Sequence, residues 1–361
     1  MFKSLRIARF RGIKEGEVPD LRQVSLFVGP NNSGKSTILD ALLLANSIYA
    51  HNDPLGRRPH EVLAERHHLP SYDRLTRSRA LWYAYDRTSE VEFDFAFANE
   101  SALDYRLDEA CGATLTLRVP CGSKPAVVAV EDLGEAAPGQ VYENVKRTRP
   151  VASASLAPAA AGTREAYGAV RSFLHDLILI DSGFTRDTRV EQRLWPLLIS
   201  DRRDKMLTHM LREVYGMDVE SLTYTLSENG YELVVMLPKY SVRVDDLGDG
   251  ARYFVRMLMV LSMLRDTTLL LEEPETAHHC RALADITRWI VRSAKERNLQ
   301  VLATTHSLET VDHFLAACTE SSVEFGLHHT ELKDGVLTCR SVDRNDARVL
   351  MDMGVDPRCA P

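Results

Sequence analysis

An α/β architecture with a mixed sheet is predicted by three observations. The apolar strand Val24-Ser25-Leu26-Phe27-Val28 runs into Gly29-Pro30-Asn31-Asn32-Ser33-Gly34-Lys35-Ser36 and then into the helix-forming run Thr37 to Leu44. A second apolar strand, Thr267 to Leu271, ends in the paired carboxylates Glu272 and Glu273. A third, Gln300 to Ala303, ends in Thr304-Thr305-His306-Ser307. Strands that deliver polar residues at their carboxyl ends, with helices between them, describe a sheet whose one edge carries a site.

The remaining elements follow in chain order. Residues 2–12 and 23–28 are expected as two strands of one sheet, because Leu5, Ile7, Phe10 and then Val24, Leu26, Val28 largely alternate with their neighbours. From His51 to Arg79, Pro54, Pro59 and Pro70 break regular structure and predict a loop-rich excursion. Val91 to Phe97 alternates strictly, and Ala113 to Val119 and Ala126 to Val130 are β-branched enough to extend an antiparallel sheet. The segment Val151 to Gly162 is low in complexity, which predicts a mobile loop at about 150–163. Ala166 to Leu174 is expected as helix, Leu177 to Ile180 as a buried strand, and Val190 to Tyr215 as one or two helices broken near Pro196. Leu222 to Leu226 and Glu232 to Leu237 predict a hairpin across Glu228-Asn229-Gly230, with Asn-Gly at its turn. Asp245 to Arg252 opens a long, mostly apolar helix ending near Leu264. No sustained heptad pattern fills the roughly 210 residues between the glycine loop and the paired carboxylates, which argues against a coiled-coil arm. The expected organisation is a core from 1–50 and 238–361, with 51–237 inserted as an antiparallel-β and helical arm region.

Length and composition bound the function. The 361 residues suit two domains or one large α/β domain with an insertion. No apolar run approaches the roughly 20 residues needed to span a bilayer, and the start Met1-Phe2-Lys3-Ser4-Leu5-Arg6 lacks the apolar region of a signal peptide, so a cytoplasmic protein with no membrane partner is expected. Six scattered cysteines, with no C-x-x-C pair and no zinc-like His spacing, read as reduced thiols. The net charge of −7 gives no global electrostatic case for nucleic acid. Two local basic stretches exist, Lys3 to Lys14 and Arg186 to Lys205, and charge runs of this kind are usually solvated or ion-paired faces.

The glycine loop is a complete G-x-x-x-x-G-K-[ST] motif in the strand, loop and helix context that it requires. Gly29, Asn31, Asn32, Ser33 and Gly34 turn backbone N–H groups inward around a β-phosphate, while the following helix, from Thr37, points its positive dipole end at the same anion. Lys35 is placed to bridge β- and γ-phosphates, and Ser36 to offer its hydroxyl to Mg²⁺. Glu272, at the Walker B position, is the second candidate metal ligand. Glu273 is the candidate general base for a water attacking the γ-phosphate, and His306 the group that senses that phosphate from the same sheet edge. Gly248 and Gly250 stand at a helix N-terminus, where the backbone can approach a phosphate.

From Ile7 to Ser307 the order glycine loop, glycine turn with helix, Walker B and histidine resembles the RecF/SMC-like, ABC-type ATPases, most closely the ATPase module of OLD-family proteins. The resemblance rests on Gly29 to Thr37, Leu247 to Arg252, Leu269 to His279 and Thr304 to Ser307. It implies an ABC-ATPase head-like P-loop fold, ATP and Mg²⁺ as cofactors, and a head-to-tail homodimer sandwiching two ATP molecules, in which Leu247 to Arg252 is the signature segment facing the opposite subunit's γ-phosphate. It places His279 where the loop after Walker B approaches the partner. Three departures are visible: Gly248 stands where the usual signature has Ser, Glu272 where most such heads have Asp, and no Gln is placed as a Q-loop. The tail after Ser307 has no Asp-x-Asp motif, so no Toprim nuclease is expected. The leading expectation is an ATP-hydrolysing dimer that acts on DNA or RNA, or through a separate effector or nuclease, as in repair or antiphage systems. The alternative is an ATP-held scaffold that sequesters a partner protein and uses hydrolysis as a timer.

Overall fold

The first strand of the glycine motif, β3 (Val24–Val28), is buried along its whole length, and a twelve-stranded sheet extends from it on both sides. In this computed structural model, residues 1–48, 52–67, 80–108, 113–121, 124–132, 161–186, 189–227, 230–277, 280–356 and 358 are described. On one side of β3 lie β13 (Gln300–Thr304), β12 (Thr268–Glu272) and β8 (Ile178–Ile180), all parallel to it. These strands are continuous apolar runs because helices cover both faces. On the other side, β14 (Phe325–Lys333) is parallel to β3 and turns back as β15 (Val336–Asp343).

β15 pairs in parallel with β2 (Ile13–Val18), and from β2 outward the sheet is antiparallel. It passes through β1 (Phe2–Phe10) to β4 (Val91–Phe97), β5 (Ala102–Leu107), β6 (Ala113–Cys121) and β7 (Lys124–Asp132). The expected single strand over 2–12 is thus a hairpin: Phe10 pairs with Ile13, and Arg11 takes a positive φ at the turn. Ala102–Leu107 was not expected as a strand, although it alternates apolar and polar residues like its neighbours. The stretch 51–237 supplies β4 to β8 to this same sheet, so the sheet does not part at the expected boundary.

Alternate residues of each core strand enter opposite layers. Phe27, Leu270 and Leu302 face α1 (Lys35–Leu44), α2 (Pro59–Arg66) and α3 (Ala161–His175), whereas Leu26, Leu271 and Val301 face the opposite helical layer. That second layer holds α4 (Arg189–Ser200), α5 (Asp204–Tyr215), α6 (Asp249–Met263), α7 (Cys280–Arg297) and α8 (Leu308–Ser321); α9 (Arg344–Asp352) packs on the β14–β15 end. Two corrections concern this layer and α2. Pro196 lies inside α4, and the break falls at 201–203. The proline-rich excursion contains α2, which begins with Pro59 at its first position, where a missing N–H costs nothing.

A separate three-stranded sheet joins β9 (Ser221–Ser227), β10 (Gly230–Met236) and β11 (Ser241–Arg243). The expected β9–β10 pairing is present from Ser227 opposite Gly230 onward, and Glu228 and Asn229 of its turn lie outside the described residues. Most of the low-complexity segment, 150–160, is also outside them. In α6, fully buried Arg256 pairs with Glu191 of α4 at 2.6 Å and with Asp245 at 2.7 Å. Among the described residues no helix is long and apolar enough to cross a membrane.

Candidate functional site

Register brings the motifs together. Leu271 pairs with Ala303 and with Ile180, and Thr304 pairs with Phe27. The strand ends therefore present Gly29, His306, Glu273 and Asp181 along one carboxyl edge. The edge is tied across by backbone bonds from Glu273 N–H to Thr304 O (3.0 Å) and from Thr305 N–H to Phe27 O (3.1 Å).

Only glycine fits the loop's first position. Gly29 has φ +145°, and a Cβ there would stand 2.3 Å from the carbonyl oxygen of Thr330 and 3.0 Å from the hydroxyls of Ser33 and Thr330. Those two hydroxyls are 2.8 Å apart, which fastens the loop to β14. Gly34 (φ +90°) ends the loop in a left-handed turn before α1, and Asn32 also has positive φ (62°), which Asn tolerates better than most residues. Asn31 and Asn32 are exposed, whereas Lys35 is buried. The Lys35 ammonium donates to the carbonyls of Gly29 (3.0 Å) and Pro30 (2.8 Å), so it sits inside the ring of the loop. Burial pushes its pKa down, while the charge of Glu273 opposes that shift.

On the Walker B side, Glu273 occupies φ 45°, a strained conformation for a non-glycine residue that aims its carboxylate out of the strand. Its Oε1 lies 3.4 Å from His306 Nε2. His306 is positioned in turn by Glu275, whose Oε1 accepts from the His306 backbone N–H (3.1 Å) and from the Thr305 hydroxyl (2.6 Å). Glu272 and Ser36 line one cavity of about 270 Å³ together with Arg57, Arg66, His67 and Asp181. The oxygen donors Ser36, Glu272 and Asp181 are the hard ligands that suit Mg²⁺, and the backbone of the loop leaves the close approach that a phosphate needs, so the residues present fit a Mg-nucleotide.

Sequence reasoning missed the group that Glu272 touches. Arg66 of α2 forms a bidentate pair with Glu272 (Nη1 to Oε2 2.8 Å, Nη2 to Oε1 2.9 Å), reaches Asp181 at 3.2 Å, and donates its Nε to Asp40 at 3.1 Å. Asp40, on α1, is fully buried and also meets Arg11 and His67. Burial alone would raise the Asp40 pKa, but the His67 hydrogen bond and the charges of Arg66 and Arg11 together hold it below the usual carboxylate range. Asp181 and Glu275 were equally unforeseen. For Glu275 a signal existed, its place two residues beyond Glu273; for Arg66 none did.

The signature segment is not part of this cluster of contacts. Gly248 and Asp249 are exposed at the start of α6, Gly248 has open space around its Cα, and Arg252 bonds back to Asp249 at 3.0 Å. Gly250 is in the first turn of α6, and His279 lies outside the described residues.

Comparison with known proteins points to ATPases. An AAA ATPase domain family model matches residues 1–106, and an AAA domain model whose description names the AbiEii toxin of type IV toxin–antitoxin systems matches residues 164–312. A protein of Helicobacter pylori named ATP/GTP phosphatase is 20% identical over 332 residues, covering 86% of this chain and 87% of that protein. An uncharacterized protein of Methanocaldococcus jannaschii is 28% identical over 114 residues, 31% of this chain and 99% of its own length. Among solved structures, an SMC head bound to the C-terminal winged-helix domain of ScpA superposes with TM-score 0.54 at 14% identity, covering 96% of this chain and 99% of that one. An SMC head with an extended coiled coil, bound to the C-terminal domain of ScpA derived from Pyrococcus furiosus, gives 0.53 at 12%, covering 98% of each. At such identities the likeness is one of fold. With the two AAA ATPase models, each of which matches less than half of the chain, it supports a P-loop ATPase with an SMC head-like α/β fold.

Proposed function

We propose that the chain binds Mg-ATP in the Gly29 to Thr37 loop, hydrolyses it at Glu273, and does so across a head-to-tail homodimer. The observation that carries this reading is the convergence of Lys35, Ser36, Glu272, Glu273 and His306 at one sheet edge from three separate strands. In this reading Lys35 leaves the loop carbonyls to meet the β- and γ-phosphates, and loop N–H groups between Asn31 and Gly34 hold the β-phosphate. Ser36 and Glu272 would hold Mg²⁺, which would supply positive charge against that of the phosphates. Glu273 accepts the proton of the attacking water, and His306, 3.4 Å from it, hydrogen-bonds the terminal phosphate or that water. The turn at exposed Gly248 and neighbouring Gly250, outside these contacts, is suited to a phosphate held by the partner subunit, and the resemblance assigns His279 to the same interface. ATP-driven closure then acts on DNA or RNA, or on a separately encoded effector, in repair or antiphage defence in the cytoplasm.

One observation favours the second reading, a scaffold that holds a partner protein. All three arginines of the N-terminal basic stretch are ion-paired, Arg6 with Asp94, Arg9 with Glu92 and Arg11 with Asp40, and in the second stretch Arg203 pairs with Asp201. Those arginines are less available to phosphate backbones. Turnover with added DNA over a salt series separates the readings, because stimulation that fades with salt supports nucleic acid and indifference supports the scaffold. Solution mass by light scattering of Glu273→Gln, with and without Mg-ATP, tests the dimer: a shift to twice the monomer mass supports it, and an unchanged mass in a variant that binds ATP removes it.

A further inference from the structure

We propose that Arg66 competes with Mg²⁺ for the carboxylates of Glu272 and Asp181, so that the metal is admitted only together with the nucleotide's phosphates. The proposal rests on the Mg-ATP reading above and concerns what guards its metal site. The guanidinium uses its whole fork: Nε donates to Asp40, Nη1 to both Asp181 and Glu272, and Nη2 to the second oxygen of Glu272. Both oxygens of Glu272 are therefore already engaged by a positive charge. Arg66 has 4% of its side chain exposed and Glu272 21%, so the guanidinium half of this pair is withdrawn from water. A bidentate Arg–carboxylate pair in such a setting is among the stronger hydrogen-bonded contacts in proteins.

A divalent cation at Ser36 and Glu272 would stand beside that guanidinium, and like charges at this range repel strongly where water is scarce. Metal entry must displace Nη1 and Nη2 from Glu272. Arg66 has a place to retreat to, because the buried carboxylate of Asp40 already holds its Nε. The displacement is offset when polyphosphate arrives with the metal and adds negative oxygens to the same cavity. Without nucleotide, Arg66 keeps Glu272 and Asp181 neutralised and hydrogen-bonded, which prevents two acidic groups from repelling an incoming anion.

The test is ATP affinity by calorimetric titration in Mg²⁺ and again in EDTA, for the wild type, Arg66→Gln and Arg66→Lys. Removing the cation leaves the carboxylates bare, so Arg66→Gln weakens ATP binding in EDTA and preserves or tightens it in Mg²⁺. The ratio of the two affinities is expected to rise about tenfold or more over wild type. Arg66→Lys keeps a point charge on Asp40 but loses the fork, and raises the ratio severalfold. If Arg66→Gln fails to fold by thermal melting, Arg66→Lys decides alone. A ratio unchanged or lowered in the folded variants overturns the proposal. Lys35→Ala separates the two levels: loss of ATP binding there with an unchanged Arg66 ratio sinks only the competition, whereas undiminished binding there sinks the nucleotide site and this inference with it.

Discussion

Replacing Gly29 with Ala tests whether the loop is built by steric necessity. The new methyl group would lie 2.3 Å from the Thr330 carbonyl oxygen and 3.0 Å from two hydroxyls, and the backbone would have to hold an L-residue at φ +145°. The conformational strain is roughly 1–2 kcal/mol. Relieving a clash against strand backbone adds about 1–3 kcal/mol, and the stiffer unfolded chain returns somewhat under 1 kcal/mol. The net loss is about 2–4 kcal/mol, a large share of a typical domain's stability. Two other glycines resolve the components. Gly216→Ala, at φ +62° with nothing within 4 Å, carries strain alone and should cost about 1 kcal/mol. Gly248→Ala has open space and an ordinary φ of −57°, and should change stability by less than about 0.5 kcal/mol. Urea unfolding of the three variants at one temperature reads the series directly. If Gly29→Ala is no less stable than Gly248→Ala, the contact of the loop with β14 does not constrain it and the argument fails.

Three further outcomes are expected. Lys35→Ala should abolish nucleotide binding in a calorimetric titration, and retained affinity would place the phosphates elsewhere. Glu275→Ala removes the acceptor for the His306 N–H and the Thr305 hydroxyl, so ATP affinity should hold while turnover falls about tenfold through misplacement of His306; equal turnover would show that His306 needs no such support. His328 is buried beside Ser25, and burial pushes its pKa from 6.5 down to about 4. Below pH 6.5 the unfolded chain takes up a proton that the folded chain refuses, so stability should fall by about 3 kcal/mol between pH 6.5 and 4 from this group. His328→Gln should flatten that slope in urea titrations at several pH values, and an identical slope in the variant would refute the assignment.

The legible parts of the sequence were those where one local rule decides. The glycine loop, the paired carboxylates and the strand before His306 are short motifs whose residue order fixes strand, turn and helix, and β4 was visible because Val91 to Phe97 alternates without exception. Arg66 was invisible for a physical reason. Its role arises from α2 folding over α1 toward Glu272, 206 residues away in the chain, and an arginine after a proline-rich stretch carries no local mark of its partner. The same holds for Asp181, which gains its place only when β8 docks beside β12. The turn at Arg11 was missed because Arg11 and Gly12 were read as the end of one strand, while the reversal shows only in the pairing of Phe10 with Ile13.

The sheet has a consequence for how the chain reaches this structure. The buried amide of Gln300 accepts from the Phe2 N–H and donates to the Phe2 carbonyl, both at 2.8 Å, across 298 residues, and β3 is flanked by β13 and β14, which come nearly 300 residues later. Contacts of such separation close late, because chain entropy is lost before they form. During synthesis β3 emerges long before β13 and β14 and must wait, with both of its edges unpaired, until they are available. The phosphate-loop strand is therefore made long before it can be enclosed, and a ribosome-stalled chain shortened before Gln300 should remain protease-sensitive around β3.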